Sequence, residues 1–97
     1  MNYSKKDYLE LVRYNAKLAG YTEKIHESDK PEKKFYIITP ENKKVYFGAK
    51  GYPDFLIYML TEGIDEAIRK RGHYRARHKK DPRDKYSAGQ LAREILW

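Results

Sequence analysis

Cysteine is missing from this 97-residue sequence. Disulfides, thiolate catalysis and cysteine-based zinc sites are therefore excluded, and nothing points to an oxidising compartment. No run approaches the roughly 18 apolar residues that span a membrane, and the N-terminal MNYSKKDYLELV lacks the apolar core of a signal peptide. Internal repeats and low-complexity segments are also absent. These absences predict a protein that is not secreted, acting inside a cell or carried inside a particle.

Apolar material is present in moderate amount, with 40% of the residues hydrophobic and 36% charged. That balance excludes a fully disordered chain and supports one modest core, with no room for a second. A core of this size gives marginal stability, which an oligomer or a bound partner would increase. We therefore expect a single domain over residues 1–97, with a homo-oligomer as an open alternative to the monomer.

The positive charge is concentrated in one segment. Of 21 Lys and Arg residues and 14 Asp and Glu residues, nine basic and two acidic ones lie between Arg69 and Lys85. Twelve basic and twelve acidic residues remain elsewhere, so the formal net charge of +7 arises within this stretch. Such localisation favours an anion-binding surface, with a solvated helix face or a flexible loop as the alternative.

The first element that the pattern predicts is a helix over residues 5–19. Ser4 is a suitable N-cap, Asp7 follows three residues later as in a capping box, and Gly20 is a stop signal. The apolar stripe of this helix comprises Tyr8, Leu11, Val12, Leu18 and Ala19. We interpret the helix as a core element that carries no chemistry.

Strands are predicted in the middle of the chain. Residues 35–38 and 45–47 are aromatic and β-branched, and TPENKK between them has turn chemistry, so they are predicted to form a β-hairpin. A short edge strand is expected near residues 23–27, and DFLIYML, which follows Pro53, is interpreted as a third strand. Periodicity alone also allows a buried helical turn for that apolar run.

Further helices are predicted towards the C-terminus. One begins near Glu62 and runs into the basic stretch, with Gly72 as a point where it could break. Pro82 has no amide donor and interrupts helix at DPRD, and Ser87 can cap a last helix over residues 88–96. The predicted fold class is α+β, with a small antiparallel sheet of two or three strands packed by two or three helices.

One face of the predicted second helix changes character along its length. It starts with Ile64, Ala67 and Ile68 and, at about 100° per residue, continues into cationic and aromatic side chains. Arg and Lys neutralise phosphates and Tyr stacks on unpaired bases, so nucleic acid, either DNA or RNA, is the predicted partner. Tyr74 is the stacking candidate. The candidate nucleic-acid-binding residues are Lys50, Arg71, Tyr74, Arg75, Arg77, His78, Lys79, Lys80 and Arg83.

Lys50 belongs to a second candidate segment, FGAKGY. Gly48 and Gly51 permit a tight or left-handed turn, and Lys50 between them could meet a phosphate that backbone amides hold. The spacing is not that of a P-loop, and no Ser or Thr follows the Lys. The simpler interpretation is a turn that leaves the hairpin with Lys50 exposed.

No catalytic residue, metal or cofactor is predicted. His73 and His78 are five residues apart, which is not the i, i+4 spacing of a helical metal pair. Asp54, Asp81 and Asp84 could gather with His78 into a metal-dependent nuclease site, although no spacing requires it. A non-enzymatic binding role is the main expectation, and the nuclease is the lesser alternative.

The terminal LAREILW carries the only Trp of the chain. We expect Leu91 and Ile95 to face inward, so that this segment docks on the sheet and fixes the basic stretch at both ends. The alternative is that Leu96 and Trp97 are exposed and mark a protein interface.

The segments FGAKGYPDF, YRARHKKD and YSAGQLAREILW together resemble a family of small basic proteins of large eukaryotic DNA viruses and aquatic phages. The likeness covers about residues 45–97, and this chain departs from it by the longer insertion LIYMLTEGIDEAIRKRG. The resemblance implies a viral origin and no particular activity. The signature falls on Phe47, Gly48, Lys50, Gly51, Tyr52, Asp54, Tyr74, Arg77, His78, Leu96 and Trp97.

A viral origin implies a location in the host cytoplasm or nucleus, or inside the virion. The predicted function is binding of nucleic acid, in packaging, gene control or defence against the host. The alternative is a minor structural component of the particle that contacts another viral structural protein. No membrane partner is expected.

Overall fold

A three-stranded antiparallel sheet forms the middle of the molecule, in the order β1 (His26–Glu27), β2 (Lys33–Ile38), β3 (Lys44–Ala49). The structure is a computed structural model and describes residues 3–97. Phe35 stands opposite Phe47 in the β2–β3 register, and both rings are buried. The hairpin prediction is thus confirmed, and the predicted edge strand exists as a two-residue strand.

Four helices and one π-helical turn complete the domain. In chain order they are α1 (Lys5–Leu18), α2 (Phe55–Glu62), α3 (Ile64–Arg77), α4 (Ala88–Leu91) and the π-helical turn (Ala92–Leu96). The buried core side chains come from the sheet and from every helical segment, so the domain is α+β as predicted. Among residues 3–97, no helix is long and apolar enough to cross a membrane.

Helix α1 begins and ends close to its predicted positions. The Asp7 amide donates to Ser4 Oγ at 3.3 Å, and Gly20 adopts a φ of 93° after the last turn. Tyr8 and Val12 are buried as predicted, and Ala16, four residues further on, extends their row. The prediction that Leu18 packs in the core is wrong, since its side chain lies off that row and is 68% exposed.

Helix α2 replaces the third strand predicted for DFLIYML. The Ile57 amide donates to the Asp54 carboxylate at 3.0 Å, which caps the first turn, and Gly63 at φ 94° ends the helix. Leu56 and Ile57 are buried. An N-cap immediately before an apolar run favours a helix, and this local signal outweighed the strand-like composition of the run.

Helix α3 runs through Gly72 without a break. A Cβ at Gly72 would meet no other atom within 4 Å, so the glycine lies on the open side of the helix and strains nothing there. Ala67 and Tyr74 face the core. Ile64 and Ile68 were predicted on the same inward face, and each is instead 50% exposed.

The C-terminal segment docks on the core, as predicted. Ser87 Oγ accepts from the Gln90 amide at 3.2 Å, and the expected single helix over 88–96 is divided into α4 and the π-helical turn. Leu91 and Ile95 are fully buried, and Trp97 packs partly buried against the core. The C-terminal end of the described chain is therefore part of the folded domain.

Candidate functional site

A cleft of about 550 Å³ lies where three separate parts of the chain meet. These parts are the end of β3 with the loop after it, the C-terminal half of α3, and α4 with the π-helical turn, and side chains of β2 and α2 complete the lining. The segments FGAKGYPDF, YRARHKKD and YSAGQLAREILW all contribute lining residues. Small and apolar side chains that line the cleft are Gly48, Ala49, Ala88, Gly89, Ala92 and Leu96.

Three aromatic rings form a stack along one side of the cleft. The Tyr74 ring lies 4.4 Å from the Trp97 ring at an interplanar angle of 6°, and 4.2 Å from the His78 ring at 24°. The Trp97 and His78 rings would overlap if both lay on the same face of the Tyr74 ring, so they lie on its opposite faces. Burial, followed by the charge of Asp81, raises the pKa of the Tyr74 hydroxyl. The stack joins the end of α3 to the C-terminal segment.

This stack changes the role predicted for Tyr74. Both faces of its ring are occupied and its side chain is buried, so the proposed stacking on a base has no open surface there. Tyr52 also lines the cleft and is 71% exposed. Tyr52 therefore offers the open aromatic face that a base requires.

His78 is held by a carboxylate at the end of α3. His78 is the residue after the end of α3, and the Nδ1 atom of its ring lies 2.8 Å from Asp81 Oδ2. Gly89 allows α4 to approach this pair, since a Cβ there would be 3.2 Å from Asp81 Oδ2. A hydrogen bond at Nδ1 fixes the orientation of the ring and leaves Nε2 for another partner.

Asp54 forms a buried polar network on the other side of the cleft. Its carboxylate accepts hydrogen bonds from the Tyr8 hydroxyl, from Lys34 Nζ at 2.9 Å and from the Ile57 amide at 3.0 Å. The residue is 1% exposed. Burial, followed by the neighbouring Asp54 charge, raises the pKa of the Tyr8 hydroxyl far above its usual value. Asp54 is thus fully engaged in holding α1, α2 and β2 together.

Three further cationic side chains line the cleft, namely Lys33, Lys70 and Arg77. Among residues 3–97, neither Lys33 nor Arg77 lies within 4.0 Å of a carboxylate. Lys70 Nζ is 4.0 Å from a Glu66 oxygen, which Arg69 contacts much more closely at 2.6 Å. The cleft therefore carries positive charge that its own acidic groups do not neutralise.

The nine predicted binding residues divide into groups. Tyr74, Arg77 and His78 line the cleft. Four others are exposed on the end of α3 or in the loop after it, outside the cleft: Arg75, Lys79, Lys80 and Arg83. The structure thus collects most of the predicted set on one end of the molecule.

Arg71 and Lys50 lie apart from that group. The Arg71 guanidinium is 4.2 Å from the centre of the Phe55 ring, so it packs on α2 as a cation–π pair. Lys50 is exposed and borders a separate groove of about 400 Å³, and its backbone amide donates to the Glu32 carbonyl at 3.0 Å. That amide is therefore not free to hold a phosphate, although the predicted left-handed turn exists, with Gly48 at φ 82°.

Several cleft residues were not among the predicted binding residues. They are Lys33, Lys34, Tyr52, Tyr58, Lys70 and His73. Tyr52 belongs to the FGAKGY segment, and Lys70 and His73 lie in the basic stretch, so these three had a sequence signal. The others come from β2 and α2, and only the tertiary fold brings them to one place.

The alternative nuclease site is not assembled. Within residues 3–97, no group of three or more His, Asp or Glu side chains is arranged to hold a metal ion. Asp54 and Asp81 both border the cleft, but Asp54 already accepts three hydrogen bonds and Asp81 holds His78. Both carboxylates therefore have structural partners within the protein.

Together these features define a small α+β domain with an aromatic and positively charged cleft at one end. The chain belongs to the family of unknown function DUF5754, whose model matches residues 23–78, more than half of the sequence. The matched range runs from just before β1 to the residue after α3 and includes FGAKGYPDF and the Arg77–His78 pair. No curated protein and no solved structure matches the chain.

Proposed function

We propose that this protein binds nucleic acid through its C-terminal basic surface and acts by binding rather than by catalysis. The surface comprises the end of α3, the loop after it and the adjacent cleft. The resemblance to viral proteins supports a role inside an infected cell or a virus particle. Open ring surface in the cleft favours strands with unpaired bases, because a stacked base requires an accessible aromatic face.

The observation that carries this proposal is the lack of acidic partners around the exposed basic residues. Arg75, Arg77, Lys79 and Lys80 are exposed, and among residues 3–97 none of them lies within 4.0 Å of a carboxylate. Elsewhere on the surface, Lys5 pairs with Glu27 at 2.8 Å. Concentrated, unneutralised cations attract a polyanion and release its counterions on contact.

A protein-binding role within a virus particle is the second candidate. Ile64 and Ile68 are each 50% exposed in the N-terminal half of α3, and such apolar side chains suit contact with a structural protein. In that case the basic residues would face acidic neighbours, and binding to free nucleic acid would be no tighter than about 100 μM, the weak end of non-specific binding.

Fluorescence anisotropy with labelled single-stranded DNA, duplex DNA and RNA tests the proposal. Across about 50 to 300 mM salt we expect submicromolar binding at the low end and a steep salt dependence, with a log–log slope of roughly −0.7 per phosphate contact on single strands. Removing two contacts in R75Q/K79Q is expected to weaken binding about tenfold and to reduce the slope by about 1.4.

The matched control is K17Q/K24Q, which removes two exposed charges from α1 and the segment after it. It lowers the net charge equally, so an effect of charge alone would appear in both variants. Equal losses in the two variants would contradict the proposed surface. Binding weaker than about 100 μM at low salt with every strand type would contradict nucleic-acid binding itself.

A further inference from the structure

The cleft has a volume and a charge suited to one small anionic ligand. Its volume of about 550 Å³ lies within the roughly 300–1,000 Å³ of small-molecule sites. We propose that the cleft binds a single nucleotide, with the phosphate monoester at its cationic side chains and the base on Tyr52. The proposal rests on the proposed function and deepens it. The same group occurs as the 5′-phosphorylated end of a strand and as a free nucleoside monophosphate.

Small residues leave space inside the cleft and allow the chain segments around it to pack closely. A Cβ at Gly48 would lie 2.9 Å from Leu96 Cδ1 and 3.1 Å from Lys34 Cβ, so only glycine allows β3 to approach the C-terminal segment. Gly89 has the equivalent role beside Asp81. Ala49 also lines the cleft with a short side chain. The space is therefore built by residues from separate parts of the fold.

The charges that line the cleft favour a monoester over a diester. Asp54 is neutralised by Lys34, and Asp81 is held by His78. Three lining cations are not engaged by these carboxylates, namely Lys33, Lys70 and Arg77. Of these, Lys70 lies 4.0 Å from Glu66, at the limit of an ion pair. Leaving the histidines aside, four Lys and Arg side chains line the cleft with two carboxylates, an excess of two positive charges. A phosphate monoester carries about −1.5 to −2 at pH 7, whereas each diester carries a single negative charge.

His78 is oriented for an additional contact to such a ligand. Asp81 engages Nδ1, and Tyr74 covers one face of the ring. Nε2 is then the polar atom of this ring that remains for the ligand, and it donates to a phosphate oxygen when the ring carries both protons. In this arrangement Asp81 is a positioning residue, because it acts through His78.

Tyr52 provides an open ring on which the base can stack. Tyr52 is 71% exposed and lines the same cleft as Arg77 and His78. Stacking on a ring is tolerant of base identity, since every base has a π face. We therefore expect purine and pyrimidine nucleotides to bind with affinities that differ less than those of a nucleotide and a nucleoside.

Isothermal titration calorimetry with adenosine 5′-monophosphate tests the cleft directly. Adenosine, which lacks the phosphate, is expected to bind at least about tenfold more weakly, since charge-assisted hydrogen bonds are lost. Inorganic phosphate is expected to be weaker than the nucleotide by at least about fivefold, because it lacks the stacked base. Equal affinity for adenosine and its monophosphate would overturn the assignment of the cationic side chains.

Two variants locate the binding in the cleft. A49F places a ring inside the cleft from an exposed position at the end of β3, and A76F adds the same ring on an exposed site of α3 outside it. We expect A49F to weaken nucleotide binding at least about tenfold and A76F to change it less than about twofold. If A49F does not fold, Y52A replaces it and should cost about fivefold or more. Unchanged binding in the folded variant would overturn the site.

Binding experiments with oligonucleotides distinguish this proposal from the proposed function. A 5′-phosphorylated oligonucleotide should bind more tightly than the same 5′-hydroxyl strand, and A49F should remove that difference. Strand binding without any preference for the 5′-phosphate, together with no binding of the monophosphate, would overturn the cleft proposal and leave the basic surface intact. Binding of the monophosphate without strand binding would support the cleft with a free nucleotide as ligand and overturn the proposed function.

Discussion

Each side of the cleft holds a carboxylate against a basic side chain, and the two pairs lie in opposite environments. On the sheet side, Asp54 and Lys34 are almost wholly buried, at 2% and 11% side-chain exposure. On the helix side, Asp81 and His78 remain 36% and 38% exposed. A buried pair is costly to leave incomplete, whereas an exposed pair contributes little to stability. The comparison indicates that the carboxylate of the sheet side maintains the fold, whereas that of the helix side contributes little to stability.

The largest loss of stability is expected from D54A, on the sheet side of the cleft. This change leaves Lys34 buried without its partner and removes the N-cap of α2, so the free energy of unfolding should fall by about 3 to 5 kcal/mol. Urea unfolding followed by circular dichroism measures it. D84A, at an exposed carboxylate, is the control and should change stability by less than about 0.5 kcal/mol. A loss below about 1 kcal/mol in D54A would show that the buried pair is not required.

The next effect tests how tightly the sheet side is packed. G48A forces a Cβ into a residue at φ 82°, and that atom would lie 2.9 Å from Leu96 Cδ1. Backbone strain and overpacking together should cost about 2 to 4 kcal/mol. Gly51 has a similar φ of 91° with no neighbour within 4 Å, so G51A should cost only about 1 to 2 kcal/mol of backbone strain. Equal losses in the two thermal or urea unfolding curves would contradict the close approach of Leu96.

Alkaline pH should weaken the sheet side selectively through Tyr8. Burial and the Asp54 charge raise the pKa of the Tyr8 hydroxyl far above its ordinary value of 10.0, so the folded protein keeps a proton that the unfolded chain loses. The contribution of Tyr8 to the free energy of unfolding is therefore fully present below pH 10. Above pH 10 it should decrease by about 1.4 kcal/mol per pH unit. Urea titrations between about pH 9 and 11 measure the slope, which Y8F should reduce by that amount and Y14F should not.

The smallest effect on stability is expected on the helix side, from D81N. The pair with His78 is partly exposed, so the free energy of unfolding should change by less than about 1 kcal/mol. Binding of adenosine 5′-monophosphate should nevertheless weaken several-fold, because His78 is no longer oriented. In an H78A background D81N should no longer weaken nucleotide binding, because a positioning residue acts only through the side chain it orients. A stability loss as large as that of D54A would remove the distinction between the two sides.

Local signals made part of this fold predictable from the sequence. Ser4 and Ser87 cap their helices through hydrogen bonds to amides three residues on, and the hairpin follows from alternating aromatic residues. These features depend on neighbours in sequence, so composition and spacing reveal them. The concentration of charge after Arg69 likewise predicted which end of the molecule carries the basic surface.

Other features could not be predicted in the same way. The apolar run after Asp54 has no polar positions to reveal its period, and only the cap hydrogen bond distinguishes helix from strand. Lys33 and Lys34 lie in the charged sequence just before the predicted strand at residues 35–38, yet in the folded protein both line the cleft. Tyr74 lies in the basic stretch but is buried between two rings. Lys34 pairs with Asp54 and Tyr74 stacks on Trp97, and both of these partners come from distant segments.

The stack of Trp97 on Tyr74 gives the protein an intrinsic optical reporter. Trp97 is the single tryptophan, its ring lies 4.4 Å from that of Tyr74, and both line the cleft. Its emission therefore arises from one known location and is sensitive to anything that enters there. Ligand entry and loss of the fold should change this emission differently, because a bound ligand alters the surroundings of an ordered ring while unfolding exposes the whole indole to water.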